Sequence, residues 1–459
     1  MRSLLILIIS LLLAVLALPY GAGMLAERSY RAQWQSLAEQ PELTLTQLDY
    51  QRGWFTSTAQ VQAQLHGAPA AVLAQREPVL AGAVPLRLRQ QIRHGPLFRT
   101  GGRWQFGAAG LDTDLDVPPA LADRLTPYFA DGVMARMAGH IGLDGSLHQT
   151  LQIPAYAGHP PSVSPDAAGG GLLRWAPLRV DWTHERGGES RMALRWPALS
   201  WHGEDGAVLG WQGLALDLRI TEAVDVRASG LRRLDGELTF ERLVQAPAGQ
   251  VPVTVHGLRL QPVAQLDDLN RLAGELRLAF ERLAQGEHEG SAGGSLQLRF
   301  ANLPPATLQA LGREAVQREP ELGALLNGIG ELQRLLAAQP VLELVSLEVE
   351  TPAGRMTGRG RIAFRGEATG FALLNPARLF AGLDAQLQGQ VPADLATSLT
   401  PAAEARLTDL LAAGYVRREG QTLHLQAALE DGWLLAHGQP RGQLIELAAR
   451  QLGLPPDLF

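Results

Sequence analysis

Three aspartates spaced two residues apart, Asp112, Asp114 and Asp116, have the type and spacing of metal ligands. Carboxylates at alternate positions open the calcium-binding loop of helix–loop–helix proteins, which also needs glycine at its sixth position and glutamate at its twelfth. Here those positions hold Val117 and Asp123. Residues two apart share one face of a strand, so we expect these aspartates to lie on a solvated strand face and no metal to bind.

The residue types that covalent catalysis requires are absent or scattered. The chain has no cysteine and all 40 basic residues are arginine, which excludes thiolate nucleophiles, disulfides, Schiff-base lysines and the lysine of a phosphate loop. The 11 histidines are dispersed, and no G-x-S-x-G motif occurs. A hydrolase using paired carboxylates is the remaining enzymatic alternative, with Asp112, Asp114 and Glu185 as candidates that the sequence cannot pair. We expect a protein that is not an enzyme and needs no cofactor.

The composition is that of a folded chain with many turns. Of 459 residues, 46% are apolar and 19% are charged, and the net charge is −6. A mildly acidic chain without basic runs argues against nucleic acid as a partner. The 50 glycines and 29 prolines favour many turns over long helices.

The N-terminal segment has the composition of a membrane anchor. Residues 3–26 carry no charge, and the stretch Leu4–Leu18 is almost wholly apolar. At 1.5 Å per residue this segment gives about 36 Å of helix, enough for the ~30 Å core of a bilayer. A cleaved signal peptide is the alternative, with Gly21 and Gly23 as small residues before a cleavage site. We favour an uncleaved signal anchor in a bacterial inner membrane, single-pass, with the bulk of the chain in the periplasm.

The elements that must position any site are mainly strands. Apolar and polar residues alternate with period two in many segments, which predicts strands with one buried and one solvated face; examples are Val84–Arg89, Leu214–Ile220, Val251–Val255, Leu276–Phe280, Leu296–Phe300, Ile362–Phe364 and Leu423–Leu429. Helical spacing is rarer, and it predicts helices over Glu27–Gln40, Glu321–Gln339 and Asp394–Ala413, with a candidate over Pro118–Met137 that Pro127 interrupts. The fold class expected is α+β: mainly antiparallel sheet, a meander of long half-buried strands, with a few helices and one N-terminal transmembrane helix.

Composition shifts divide the chain into regions. The segment 158–171 is rich in proline, glycine and serine, which indicates a linker. The predicted organisation is a transmembrane anchor (1–26), an N-terminal α+β region (27–157), the linker (158–171), an antiparallel β region (172–302) and a C-terminal α+β region (303–459).

Several short stretches together resemble one bacterial family. They are Tyr50–Ser57, Ile92–Leu97 and Ile141–Gly145, with Leu429–Gly432 near the end. This pattern is similar to that of the YdgA-like envelope proteins, a domain family of unknown function. The resemblance implies an inner-membrane anchor, periplasmic exposure and a homodimer, and it supplies no catalytic residues. Its motif positions, whose role is unknown, are Gly53, Trp54, Phe55, Ser57, His94, Gly95, Pro96, Asp144, Gly145 and Gly432.

Two functions fit these expectations. The first is a non-enzymatic, membrane-anchored scaffold or interaction protein of the envelope, acting through sheet edges or as a homodimer. The alternative is a lipid-binding or lipid-transfer module, because a long apolar sheet face must be covered by helices, closed on itself or wetted by acyl chains. The partners expected are the inner membrane through residues 3–26, with a homodimer and a lipid ligand as candidates.

Overall fold

A computed structural model gives the architecture of the chain. It describes part of residues 23–38, residue 310, and the ranges 43–66, 83–119, 122–129, 131–159, 171–222, 231–286, 288–291, 293–308, 322–366, 381–394 and 401–444. The chain forms two compact units, residues 1–224 with 247–249 (unit 1) and residues 225–246 with 250–459 (unit 2).

Unit 1 is an antiparallel meander. Its strands are β1 (Leu43–Arg52), β2 (Thr56–Leu65), β3 (Val84–His94), β4 (Leu97–Thr100), β5 (Arg103–Phe106), β6 (Ala109–Asp116), β7 (Val133–Ile141), β8 (Leu147–Ile153), β9 (Tyr156–Gly158), β10 (Leu172–Trp175), β11 (Leu178–His184), β12 (Glu189–His202) and β13 (Val208–Glu222). The sheet order is β1, β2, β3, β6, β7, β8, β11, β12, β13. β9 pairs with β10, which also pairs with β12, while β4 and β5 form a separate hairpin.

Unit 2 repeats the meander. Its strands are β14 (Leu231–Ala246), β15 (Val253–Leu266), β16 (Leu272–Phe280), β17 (Arg282–Gln285), β18 (His288–Ser291), β19 (Gly293–Leu303), β20 (Val341–Thr351), β21 (Gly354–Phe364), β22 (Leu383–Pro392), β23 (Val416–Glu419), β24 (Thr422–Glu430), β25 (Trp433–Ala436) and β26 (Gln439–Gln443). The order runs β14, β15, β16, β19, β20, β21, β22, β24, β25, β26, every pair antiparallel.

Helices are few in the described part of the chain. They include α1 (Ala122–Leu125) in unit 1, and α2 (Leu322–Ala337) and α3 (Pro401–Ala412) in unit 2. The described residues between 23 and 38 are also helical. This N-terminal helix packs on the first strands of unit 1, where Tyr30 donates a hydrogen bond to Gln90 and its ring centroid lies 5.5 Å from that of Tyr50. Burial raises the pKa of Tyr30 to about 12.

The expected fold class is confirmed in its main point, since the described residues form mostly antiparallel sheet with few helices. The predicted anchor falls largely on residues 1–22, which lie outside the described residues. Among the residues described, no helix is long and apolar enough to cross a membrane. The regions predicted from composition stay predictions; most of the predicted linker, residues 160–170, also lies outside the described residues.

One helix prediction is wrong for most of its length. Among the described residues of Pro118–Met137, α1 is the one α-helix, and β7 begins at Val133. The chain turns through Gly132, whose φ of 72° suits glycine, and Val133 then pairs with Asp116 of β6. Sheet pairing therefore overrides the helical spacing after Pro127. The other helix predictions agree better, because α2 lies inside Glu321–Gln339 and α3 inside Asp394–Ala413.

Candidate functional site

The register of unit 2 aligns apolar residues into two adjacent rows on one face of the sheet. The first row is Leu276, Leu298, Leu344, Gly360, Leu387 and Ala427, each paired with the next across neighbouring strands. The second row is Gly274, Phe300, Leu342, Ile362, Ala385 and Leu429. Because residues two apart share a face, both rows lie on the same side. The alternation seen in the sequence thus produces one continuous apolar face across β16, β19, β20, β21, β22 and β24.

This apolar face is open in its middle. Leu342, Ile362 and Leu387 are 49%, 52% and 42% exposed, although they sit in central strands. They border a groove of about 280 Å³, whose other apolar lining residues are Leu298, Leu344, Ala385, Ala427, Ala428, Leu429 and Leu434. Side chains in the middle of a packed sheet face are normally removed from water. The groove is therefore an apolar surface that the described residues leave uncovered.

A glycine and a bulge shape the groove. Gly360 stands between Leu344 and Leu387 in the first row, so one position of the floor has no side chain. A Cβ atom there would lie 3.1 Å from Leu387 Cδ1 and 3.0 Å from the Gln386 carbonyl oxygen, so a side chain at this position would have to displace these neighbours slightly. The pairing of β20 with β21 shifts register between Leu344 and Leu347, and such bulges bend a strand locally.

The opposite face of the same strands is polar. Arg299 pairs there with Glu343 at 3.0 Å, and Glu343 is in register with Arg361. A second cleft of about 550 Å³ includes Arg359, whose Nε and Nη2 donate to Gln388 Oε1 at 2.9 and 2.6 Å. Arg359 and Gln388 are thus hydrogen-bonded to each other in a cleft with a mainly polar lining. Water solvates such a surface well, so this face of the sheet needs no cover. The two faces of the sheet therefore differ, and the apolar groove lies on one of them.

The motif positions singled out in the sequence gather mostly at one end of unit 1. Ser57 and His94 are both buried, with Ser57 Oγ 2.9 Å from His94 Nε2. Gly95 donates its N–H to the Ala108 carbonyl at 2.8 Å, and a cis peptide bond joins it to Pro96. A side chain at Gly95 would lie on the carbonyl oxygens of Gly107 and Ala108, so only glycine fits.

The Ser57–His94 pair lacks the features of a nucleophile and its base. His94 is 4% exposed and Ser57 is 1% exposed, so a substrate cannot reach them in this arrangement. The other ring nitrogen, Nδ1, has no hydrogen-bond partner among the described residues, whereas a catalytic histidine is held by a third group. Burial lowers the pKa of His94. The geometry is that of a structural hydrogen bond that joins β2 to the end of β3.

The remaining motif positions lie in turns. Gly53 forms the bend before Trp54 and Phe55, both about half exposed, and a Cβ atom at Gly53 would lie on the Thr56 carbonyl oxygen. Asp144 Oδ1 accepts hydrogen bonds from Ser146 N at 2.9 Å and Ser146 Oγ at 2.7 Å, closing the β7–β8 turn. Gly145 in that turn has a φ of 86°, and Gly432 has a φ of 80° in the β24–β25 turn of unit 2. Gly432 is the motif position that belongs to unit 2.

Each candidate carboxylate lies within 4 Å of an arginine. Asp112 pairs with Arg93 and accepts a hydrogen bond from Thr100 Oγ1 at 2.7 Å. Asp114 lies 3.8 Å from Arg136, and Glu185 lies 3.6 Å from Arg191. In the described part of the chain, no three acidic or histidine side chains come together as metal ligands.

Sequence reasoning found part of the groove and missed the rest. The alternation in β16, β19, β21 and β24 was visible, but β20 and β22 were not recognised as strands. Their signal was present in the alternating run from Val341 to Val349 and in Leu383–Val391. Gly358 and Gly360 imitate a dinucleotide-binding fingerprint, but they lie in the middle of β21, whereas that fingerprint stands at the turn between a strand and a helix.

Comparisons with known proteins give one match. A family model described as a bacterial protein of unknown function (DUF945) matches residues 1–441. Comparison with curated proteins and with solved structures found no match.

Proposed function

The chain belongs to the DUF945 family of bacterial proteins, whose function is unknown, and we propose that it is a non-enzymatic envelope protein that binds the acyl chain of a lipid on the apolar face of unit 2. The proposal includes an N-terminal anchor in the inner membrane, a periplasmic location and the finer assignment to the YdgA-like proteins. The anchor is supported by the uncharged segment 3–26, and the finer assignment by the motif stretches of unit 1.

The single observation that carries this function is the exposure of three aliphatic side chains in the middle of a sheet. Leu342, Ile362 and Leu387 are adjacent on one face and about half exposed. Burying an aliphatic side chain completely is worth about 1.5–3 kcal/mol, so covering the exposed halves of three would gain about 3 kcal/mol. An apolar ligand gains this free energy and a polar one does not.

The chemistry of the groove favours a hydrocarbon chain over a compact polar ligand. Ten of its 13 lining residues are Leu, Ile or Ala, and the ion pair of Arg299 with Glu343 in the same strands lies on the other face. Pockets for polar metabolites combine apolar walls with several convergent polar groups. An anchored protein also lies beside a pool of lipid, which supplies such a ligand locally.

A scaffold is the second candidate, and the edge of unit 1 favours it. β1 pairs with β2 on one side, and no other described strand pairs with it. An exposed edge of ten residues is a template for strand addition by a partner or a second copy. Crosslinking in membranes should then capture a fixed partner or a homodimer through β1.

The test of lipid binding is native mass spectrometry of the full chain, purified from bacterial membranes and then exchanged from its detergent. The expected result is a stoichiometric adduct with the mass of an acyl lipid, lost in Leu387→Gln. The matched control is Val263→Gln, because Val263 is similarly exposed but lies opposite Asp235 and Glu275, on the polar face. A protein free of lipid, or an adduct unaffected by Leu387→Gln, would refute the groove as the site.

A further inference from the structure

One end of unit 1 carries a cluster of large apolar side chains that face solvent. Its members are between 51% and 70% exposed: Trp54, Phe55, Leu97, Trp104, Phe106 and Leu143. None of them belongs to the groove of unit 2. We refer to these six residues as the aromatic tip.

Strand direction brings the turns that carry these six residues to the same end, and the β4–β5 hairpin in the second turn folds back over β6, where Thr100 Oγ1 donates to Asp112 Oδ1 at 2.7 Å. β1, β3 and β7 run in the same direction, because each is separated from the next by one antiparallel strand. The turns that follow them therefore lie side by side. Hydrogen bonds join these turns: His94 N donates to the Phe55 carbonyl at 2.8 Å, and Ala108 N donates to the Ile141 carbonyl at 2.8 Å. The aromatic tip is thus formed by three neighbouring turns of one sheet.

The β4–β5 hairpin holds its aromatic residues outward. Its inner side is fixed, because Phe98 and Thr100 are buried and the Phe98 ring packs on Gly110. The outer side has Leu97 opposite Phe106 and Arg99 opposite Trp104. Because the inner face of the hairpin is buried against the sheet, the residues on its other face must point away from the sheet.

The described part of the N-terminal helix begins at this same end. Gly23, the first described residue of the N-terminal helix, packs against the His94 ring, and a Cβ atom there would lie 3.1 Å from His94 Cε1. His94 is hydrogen-bonded to Phe55, a member of the tip. The uncharged stretch 3–22 precedes Gly23 directly in sequence. If that stretch enters the bilayer, the membrane surface lies next to the aromatic tip.

We propose that the aromatic tip inserts into the interfacial layer of the membrane in which the chain is anchored. This inference rests on the anchor in the proposed function, and it is independent of the groove. Tryptophan and phenylalanine suit the interface because their rings are apolar, and the tryptophan N–H can reach headgroups. Arg99 and Arg103 are exposed beside Trp104, where they would meet anionic phosphates. Docking would orient unit 1 with its β1–β2, β3–β6 and β7–β8 turns toward the bilayer.

The absence of cysteine allows a direct test with spin labels. In the full chain, Trp104→Cys puts one label on the aromatic tip, and Glu204→Cys puts one in the β12–β13 turn at the other end of the same sheet. Both positions are exposed, so neither substitution removes a buried contact. The labelled proteins are reconstituted into vesicles of phosphatidylethanolamine and phosphatidylglycerol and recovered by flotation.

The readout is the accessibility of each label to oxygen, which concentrates in the bilayer, and to a water-soluble nickel chelate. We expect the label at 104 to collide more with oxygen and the label at 204 more with nickel, with a difference of at least about fivefold in their oxygen-to-nickel ratios. Equal ratios in floated protein would overturn the docking and leave the anchor standing. A label at 104 shielded from both reagents would overturn it in favour of a protein contact, such as a second copy.

Failure to float would overturn the anchor and the docking together. Neither result decides whether the groove binds lipid, because that claim is read from the bound-lipid mass and its loss in Leu387→Gln. The two proposals can therefore fail separately.

Discussion

Replacing Leu387 by glutamine is the change that probes the groove most sharply. Leu387 is 42% exposed, and a bound acyl chain would cover this exposed part. Because complete burial of a leucine side chain contributes about 1.5–3 kcal/mol, covering this fraction contributes about 1 kcal/mol to the binding free energy. Glutamine loses this gain and adds an amide that must be desolvated at about 1 kcal/mol. The expected total is about 2 kcal/mol, or about 30-fold weaker binding.

The assay is titration of the purified full chain with a fluorescent fatty acid. Val263→Gln is the matched control: it removes an aliphatic side chain of similar exposure, 38%, from the polar face of the same sheet. We expect its dissociation constant to stay within about twofold of the parent. Chemical unfolding of each variant reports the separate effect on stability, which for Leu387→Gln is about 1–2 kcal/mol from the buried part of the side chain.

Two results would refute the reasoning. A dissociation constant for Leu387→Gln within about threefold of the parent, a free-energy difference under about 0.7 kcal/mol, would mean that no ligand covers this side chain. An equal loss in Val263→Gln would mean that the probe binds elsewhere or responds to general destabilisation. Leu387 lies in the first apolar row and Ile362 in the second. If the acyl chain crosses both rows, the double variant Leu387→Gln/Ile362→Gln should bind the fatty acid more weakly than Leu387→Gln alone.

Further predictions concern the end of unit 1. Ser57→Ala removes the partner of His94 and should lower the free energy of unfolding by about 1–3 kcal/mol in urea, whereas Thr58→Ala, at an exposed neighbouring position, should change it by less than about 0.5 kcal/mol. Because burial lowers the pKa of His94, the unfolded chain binds this proton more tightly than the folded one. The His94 contribution to stability is therefore constant above about pH 6.5 and is lost as pH falls below it. Below about pH 6.5, the slope of the unfolding free energy against pH should be smaller in His94→Gln than in the parent, and an unchanged slope would contradict this. Gly95→Ala should prevent folding or lower the melting temperature strongly, while Gly102→Asn, at a φ of 78° with open space around it, should be tolerated; similar melting temperatures for the two would contradict the close packing at Gly95.

The fold class could be predicted because alternation is a local property. Segments such as Leu276–Phe280 and Leu296–Phe300 show their apolar face without knowledge of their neighbours, and glycine-containing turns between them indicate a meander. The helical spacing of Pro118–Met137 is also a local property, and it gave a wrong prediction. The structure there is decided by the pairing of Val133 with Asp116, which depends on two strands coming together and has no local signal. The hydrogen bond between Ser57 and His94 joins positions 37 residues apart, and spacing alone does not show such a contact.

The candidate groove could be predicted only in part. An apolar strand face looks the same in sequence whether it lies in a dry core or open to solvent, so the exposure of Leu342, Ile362 and Leu387 had no local signal. The sequence indicates only some members of the aromatic tip, and only as parts of separate motifs. Trp54 and Phe55 were noted as motif positions, whereas Trp104 and Phe106 were not, and the antiparallel order of the strands is what brings them together.

The most direct test of the central claim is photocrosslinking in bacterial membranes with a lipid that carries a photoactivatable group in its acyl chain, followed by peptide mapping. The account predicts crosslinks within β20, β21 and β22 of unit 2, around Leu342, Ile362 and Leu387, and their loss in Leu387→Gln but not in Val263→Gln. Crosslinks confined to residues 1–26 or to unit 1 would contradict the claim that the apolar face of unit 2 binds an acyl chain.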